Sequence, residues 1–403
     1  MWEEDLVIRK LLTKVKRHRS IKRAYQLAFK IVGLLPKKNN LIIFESFLGK
    51  QFSCNPRSIY EYLEANHPDY EMYWSVDPRY SASFQDKEIK TINRFSIQWL
   101  FKMARAKYWV FNSRTPSWIP KPKNTIYLQT WHGTPLKKLA ADMEEVHMPG
   151  TDTDRYKRNF LNESGKWDYL ISPNRYSTDI FRRAFGFDKD MIESGYPRND
   201  FLLLNNGNEA VINGIKEKLK IPSNKKVILY APTWRDNEYY SVGKYKFNLK
   251  LDLEKMKKEL GNQYIILMRM HYLIAENMDL SMYEEFAKDV SSYEDIRELY
   301  LISDILITDY SSVFFDYANL KRPMIFFTYD IDNYRDQLRG FYFDFEKEAP
   351  GPLVKTTSEV LNEIQLIEKG KRLDESFEPF FNRFCYLEKG TSSKRVVMEV
   401  FNR

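Results

Sequence analysis

Two series of short apolar runs, separated by helical stretches, constrain this chain more than any other feature. The first series is "NNLIIFES" (39–46), "YEMYWSV" (70–76), "KYWVFNS" (107–113), "TIYLQTW" (125–131) and "DYLISPN" (168–174), with helical stretches such as Pro56–Ala65 and Ser96–Ala106 between them. The second is "KKVILYAPTW" (225–234), "QYIILMRMH" (263–271), "DILITDYSS" (304–312) and "RPMIFFTYD" (322–330), spaced by Leu251–Leu260, Tyr293–Ile302 and Ser312–Leu320. Runs that stay apolar instead of alternating suit strands buried on both faces, so the pattern predicts parallel sheets covered by helices. Two such series predict two doubly wound, Rossmann-like α/β domains. The Asn and Gly cluster in "NDFLLLNNGNEA" (199–210) marks the expected linker. The expected division is therefore 1–38, 39–205, 206–375 and 376–403, with the last helix, Ser392–Phe401, packing back on the first domain.

Charge is concentrated at one end. Residues 1–40 hold eleven Lys and Arg against Glu3, Glu4 and Asp5, a net of +8 that equals the charge of all 403 residues. The body is formally neutral. In the basic segment Ile21, Ala24, Tyr25, Ala28, Val32 and Leu35 recur at helical spacing, and Leu11, Leu12 and Val15 flank "KVKRHR". A basic amphipathic segment ahead of a neutral body suits an anionic membrane surface, or a solvated helix laid on the domain. The body lacks the basic stripe and recognition motif of a nucleic-acid-binding protein. No apolar run is long enough to span a bilayer, and the start carries no signal-peptide core. Cys54 and Cys385 have no metal-ligand spacing and make no disulfide framework, which points to a reducing compartment.

Ligands of doubly wound sheets bind beyond the carboxyl ends of the strands. Those ends carry the unusual residues of this chain: "TWHGTP" (130–135), "SGYPRND" (194–200), "APTWR" (231–235), "RMH" (269–271) and "TDYSS" (308–312). A cleft between the domains would gather His132, Arg198, Arg235, Arg269 and His271 with several hydroxyls. Cations, hydroxyls and helix N-termini in one crevice describe a site for phosphate or pyrophosphate.

"TWHGTPLK", "GYPRND", "YAPTWR", "RMHY" and "TDYSSVFFDY", in this order, resemble the CDP-glycerol glycerophosphotransferase family, membrane-associated enzymes that build wall teichoic acid. "FESFLGKQFSCNPRSIYEYL" (44–63) and "LRGFYFDF…GPLV" (338–354) extend the likeness over most of the chain from residue 39. The resemblance implies a GT-B-type fold, with two Rossmann-like domains facing a central cleft and the donor nucleotide mainly in the second. It also implies transfer of glycerol phosphate from CDP-glycerol to a lipid-linked acceptor at the cytoplasmic membrane face, releasing CMP.

The residues fit that chemistry. An acceptor hydroxyl must lose a proton as it attacks phosphorus, and His132 is the base expected to take it, with Gly133 allowing close backbone approach. Trp131, Thr134 and Pro135 flank it as expected substrate contacts. No clustered carboxylates suggest a metal or other cofactor, so Arg198, Arg269 and His271 are expected to neutralise the leaving phosphate, with Met270 between them. His271 is equally readable as a second acid or base. Ser311 and Ser312 open a helix and either contact phosphate or serve as its cap. Asp316, one turn in, resembles the family carboxylate that contacts substrate, and Pro232 and Thr233 look like donor contacts. Trp234 reads as core; His18 and His147 acquire no role. Transfer of ribitol phosphate from CDP-ribitol, and a non-catalytic membrane-bound nucleotide-binding protein, remain alternatives. One unit or many, and the state of oligomerisation, stay open.

Overall fold

The computed structural model describes residues 19–146, 152–233, 239–241, 244–245, 249–270, 280–334, 340–371 and 373–401. The chain divides into two compact units, residues 1–131 with 162–170, and residues 132–161 with 171–403.

The first sheet has seven strands: β1 (Lys38–Glu45), β2 (Glu71–Val76), β3 (Thr91–Asn93), β4 (Ala106–Phe111), β5 (Ile126–Gln129), β6 (Tyr169–Ser172) and β7 (Asp190–Glu193). Their order is β3-β2-β1-β4-β5-β6-β7, and the pairings from β3 to β6 are parallel. Next come β8 (Lys226–Ala231) and a small antiparallel ribbon, β9 (Tyr239–Ser241) with β10 (Lys244–Tyr245). The second sheet continues with β11 (Tyr264–Met268), β12 (Ala287–Asp289), β13 (Ile305–Thr308), β14 (Met324–Phe327) and β15 (Leu353–Val354). It is parallel throughout, in the order β12-β11-β8-β13-β14-β15. Counted from its own first strand this is 3-2-1-4-5-6, the doubly wound nucleotide-binding order. The apolar runs do what buried parallel strands require: β11, β13 and β14 are buried at every residue. Both sheets are Rossmann-like, and the fold is of GT-B type.

All nine strands expected from apolar runs are present. In the two large sheets the strands not expected, β3, β7, β12 and β15, are two to four residues long, and all lie at sheet edges. Within the expected linker segment Asp200–Asn205 is a helix with Leu202 wholly buried, and Glu209–Lys218 is another, with the turn limited to the Asn and Gly residues between them. The helix Ser392–Val400 packs on residues 194–200, where Asp200 Oδ1 and Oδ2 accept from Ser392 N at 2.9 Å and Ser393 N at 2.7 Å.

The basic segment forms the helix Arg19–Val32. One stripe is core: Phe29 and Val32 are buried, Tyr25 Oη donates to Ser96 O at 3.3 Å, and the Tyr25 and Phe29 rings lie against Trp99. Residues 1–18, which include five of the eleven Lys and Arg and His18, are outside the described residues.

Candidate active site

The topological switch of the second sheet lies between β8 and β13, where Thr308 pairs with Ala231 at the carboxyl ends. Thr308 Oγ1 donates to Ala231 O at 2.7 Å, and Thr233 N donates to Asp309 Oδ1 at 2.7 Å. These bonds fix the two strand exits against each other. From β13 the chain passes Ser311 and Ser312, both half-buried, into the short helix Val313–Tyr317. Ser312 makes no side-chain cap bond. Its hydroxyl is instead turned toward Gly133, where an added Cβ would stand 3.0 Å from Ser312 Oγ. A side chain at 133 would crowd that hydroxyl, so glycine leaves room for the approach.

The sequence pattern places His132 at an end of the first domain, and in the structure it is the first residue of the second compact unit. Its backbone is held there by Arg198, whose Nη1 donates to His132 O at 2.8 Å. The imidazole itself is exposed, while Gly133, Thr134 and Pro135 are buried behind it. Pro135 O accepts from Tyr176 Oη at 2.7 Å, and the segment that follows is tied to Gly340 and Tyr342 through Lys138 N and Leu136 O. The histidine is thus an exposed ring on a fastened backbone, the arrangement a base needs if it is to meet an incoming hydroxyl.

Trp131, on the first unit, sits at φ +51°, a left-handed conformation costly for a bulky residue, of order 1–3 kcal/mol. Gln129 Oε1 accepts from Trp131 N at 3.0 Å, and Asn55 Nδ2 donates to Trp131 O at 3.1 Å, which holds the turn.

Four residues expected at the substrate have partners within the protein. Arg198, expected as a phosphate clamp, and Asp316, expected as a substrate contact, are bonded to each other. Arg198 Nη2 donates to Asp316 Oδ1 at 2.9 Å and Oδ2 at 2.7 Å, with both side chains buried, and the guanidinium lies 4.6 Å from the Tyr196 ring. The pair supports the His132 carbonyl instead of offering open charge. Arg269, expected as a second clamp, is engaged with backbone through one of its nitrogens. Its Nη1 donates to Val290 O at 2.6 Å, Ser291 O at 2.8 Å and Tyr293 O, so it fastens the loop after β12. Burial lowers its pKa from the ordinary arginine value. Met270, expected as a substrate contact, is buried among core residues, its amide donating to Ser291 Oγ at 3.0 Å. Pro232 and Thr233 are half-buried at the β8 exit, in keeping with an accessible position. His271, Trp234, Arg235 and His147 lie outside the described residues.

Two residues emerge only from the structure. Lys137 places Nζ 3.5 Å from Thr233 Oγ1 and 5.1 Å from the centre of the Tyr334 ring, bringing a cation to the β8 exit. Its signal is the lysine pair closing "TWHGTPLKK", which acquires no role in the sequence because its partner is 96 residues away. Asp309, buried, holds Thr233 and is inconspicuous inside "TDYSS". Among the described residues no group of three or more His, Cys, Asp or Glu is placed to hold a metal ion.

Hydroxyls from Ser311 and Ser312 and a cation from Lys137 lie at the exits of β13 and β8, with the His132–Gly133 backbone against Ser312. The chain is 63% identical over 399 residues to a teichoic acid poly(glycerol phosphate) polymerase of Bacillus subtilis, covering 98% of this chain and 53% of that protein. It is 63% identical over 380 residues to the polymerase of the same description from Bacillus spizizenii, covering 94% of this chain and 96% of that one. The chain therefore spans about half the length of the first relative and nearly all of the second. A solved structure of the wall teichoic acid polymerase TagF, soaked with CDPG, superposes with a TM-score of 0.88 at 45% identity, covering 98% of this chain and 96% of that one. The family profile described as CDP-glycerol:poly(glycerophosphate) glycerophosphotransferase matches residues 27–402, and the chain belongs to that family.

Proposed function

We propose that this chain moves glycerol phosphate from CDP-glycerol to a lipid-linked teichoic acid acceptor and releases CMP. The carrying observation is the convergence of the His132–Gly133 backbone with Ser312 at the carboxyl end of β13, anchored by Arg198 and Asp316. The acceptor hydroxyl oxygen forms a bond to the phosphorus of the glycerol phosphate group. His132 takes the hydroxyl proton, and the bond to the CMP oxygen breaks with its electron pair leaving on CMP. Ser311, Ser312 and Lys137 face the pyrophosphate in this reading, and Thr233 the donor at the β8 exit. Hydrogen bonds to charged groups contribute about 1.5–3 kcal/mol each. Both relatives at 63% identity carry glycerol phosphate in their descriptions, which favours glycerol over ribitol.

The reading requires no metal, because Lys137 and the serine hydroxyls meet the leaving charge. Purified protein is expected to release CMP from CDP-glycerol well above its rate with CDP-ribitol, and to do so in excess EDTA. A faster reaction with CDP-ribitol would reassign the donor. Loss in EDTA with recovery on adding Mg²⁺ would place a metal at the site.

We further infer peripheral attachment to an anionic membrane. No helix among the described residues is long and apolar enough to cross one. Beside the buried stripe of the first helix, Leu27 (60% exposed), Ile31 (57%) and Leu34 (86%) face solvent, as do Ile97 (77%) and Phe101 (47%) on the helix it packs against. Lysines 22 and 30 flank them. Apolar side chains in the interface and lysines at about 1 kcal/mol each near anionic headgroups add to one binding surface. Replacing Leu27, Ile31 and Leu34 by glutamine should release the protein from phosphatidylglycerol vesicles without lowering its thermal stability. Unchanged co-sedimentation would move the membrane surface elsewhere.

A further inference from the structure

The turn that carries Arg198 is built from outside. Pro197–Asn199 is a single 3-10 turn, preceded by Gly195 at φ +80°. Tyr196 N donates to Glu388 Oε1 at 2.9 Å, and Asn199 Nδ2 donates to the same oxygen at 3.0 Å. A Cβ on Gly195 would stand 2.7 Å from Glu388 Oε2 and 2.7 Å from Ser392 Oγ, so the segment after residue 385 is pressed against the turn. Arg395 Nη1 donates to Ser194 O at 3.2 Å, and Asp200 holds the amides of Ser392 and Ser393. One carboxylate oxygen thus accepts from both ends of a turn whose middle residue joins His132 to Asp316.

We propose that Glu388 is a positioning residue for the transfer reaction: it fixes the Tyr196–Asn199 turn, and through Arg198 the backbone of His132. This rests on the function proposed above. Glu388 touches neither of the groups placed at the reacting atoms, so its effect is transmitted, and a buried acceptor serving two donors leaves both unpaired when removed. Burial pushes Glu388 up to about 8, and the Asp316 and Asp200 carboxylates push in the same direction. The groups around it are Asp200 and Asp316 on their helices, Arg198 in the turn, Arg395 on the last helix and Cys385, whose thiol burial also raises. Near neutral pH Glu388 is therefore mostly protonated. Its Oε2 is buried and makes no hydrogen bond among the described residues. Ionised, Glu388 would put a third buried carboxylate beside the Arg198–Asp316 pair.

Glutamine keeps the acceptor and cannot ionise, whereas alanine removes the acceptor. With CDP-glycerol and a soluble acceptor analogue at pH 7, Glu388→Ala is expected to lower kcat by about 10²-fold with donor KM within about threefold, and Glu388→Gln to restore kcat to within about threefold. As pH rises through about 8, wild-type kcat should fall more steeply than that of Glu388→Gln. A second arm needs no substrate. Hydrogen exchange in peptides covering 131–136 and 194–200 should quicken in Glu388→Ala and stay at the wild-type rate in Glu388→Gln. Lower thermal stability in Glu388→Ala with kcat unchanged would overturn the proposal, as would unaltered protection of 131–136. If wild-type protein releases no CMP from CDP-glycerol, the functional reading fails by itself, and the exchange arm still decides the positioning role.

Discussion

Replacing His132 by alanine is expected to lower transfer by about 10²–10⁴-fold, the range a positioned general base supplies. The fold should survive. The residue is exposed, and the bond from Arg198 to its carbonyl oxygen is one that alanine retains. Donor affinity should also survive, since the hydroxyls and cation assigned to the pyrophosphate belong to Ser311, Ser312 and Lys137. The measurement is single-turnover CMP release alongside calorimetric binding of CDP-glycerol. Binding unchanged with chemistry lost identifies a group used only at the transition state. Turnover within about threefold of wild type, in a folded variant, would remove His132 from the reaction.

The fold is legible where burial leaves a mark on residue type. β11, β13 and β14 are enclosed on both faces and so read as unbroken apolar runs. The edge strands β3, β12 and β15 have only two or three residues and at most partial burial, which leaves no periodicity to detect. The site is legible to the same extent. Motifs at strand ends point to His132, Thr233 and the Ser311–Ser312 pair as candidates, because doubly wound sheets bind ligands beyond their strand exits. What sequence does not convey is the partner of each charged group. Arg198 and Arg269 look alike as cations at strand ends. One is spent on a carboxylate 118 residues away and the other on carbonyls 21 to 24 residues away. Lys137, without a role in the sequence, is the cation the structure brings to the β8 exit.

Breaking the Arg198–Asp316 pair should show why the distinction matters. Both side chains are 7% exposed, and the guanidinium meets both carboxylate oxygens while a second nitrogen holds His132 O. Removing one partner of a buried pair strands the other charge and costs about 3–5 kcal/mol. For a unit of this size each kcal/mol moves Tm by about 2–4 °C, so Arg198→Ala and Asp316→Ala should each lower Tm visibly. The double variant should lose less than the sum of the two, because no charge is then left unpaired. Arg198→Lys should behave nearly as badly as alanine: an ammonium cannot span two carboxylate oxygens and a carbonyl with a planar fork. Activity separates this arrangement from a phosphate clamp. A clamp would raise donor KM in proportion to the lost contact. A support for His132 lowers kcat and leaves donor binding nearly intact, with Asp316→Ala following Arg198→Ala in both. If the two single variants unfold at the wild-type temperature while donor affinity collapses, Arg198 contacts the donor directly and its bond to Asp316 is given up when CDP-glycerol binds.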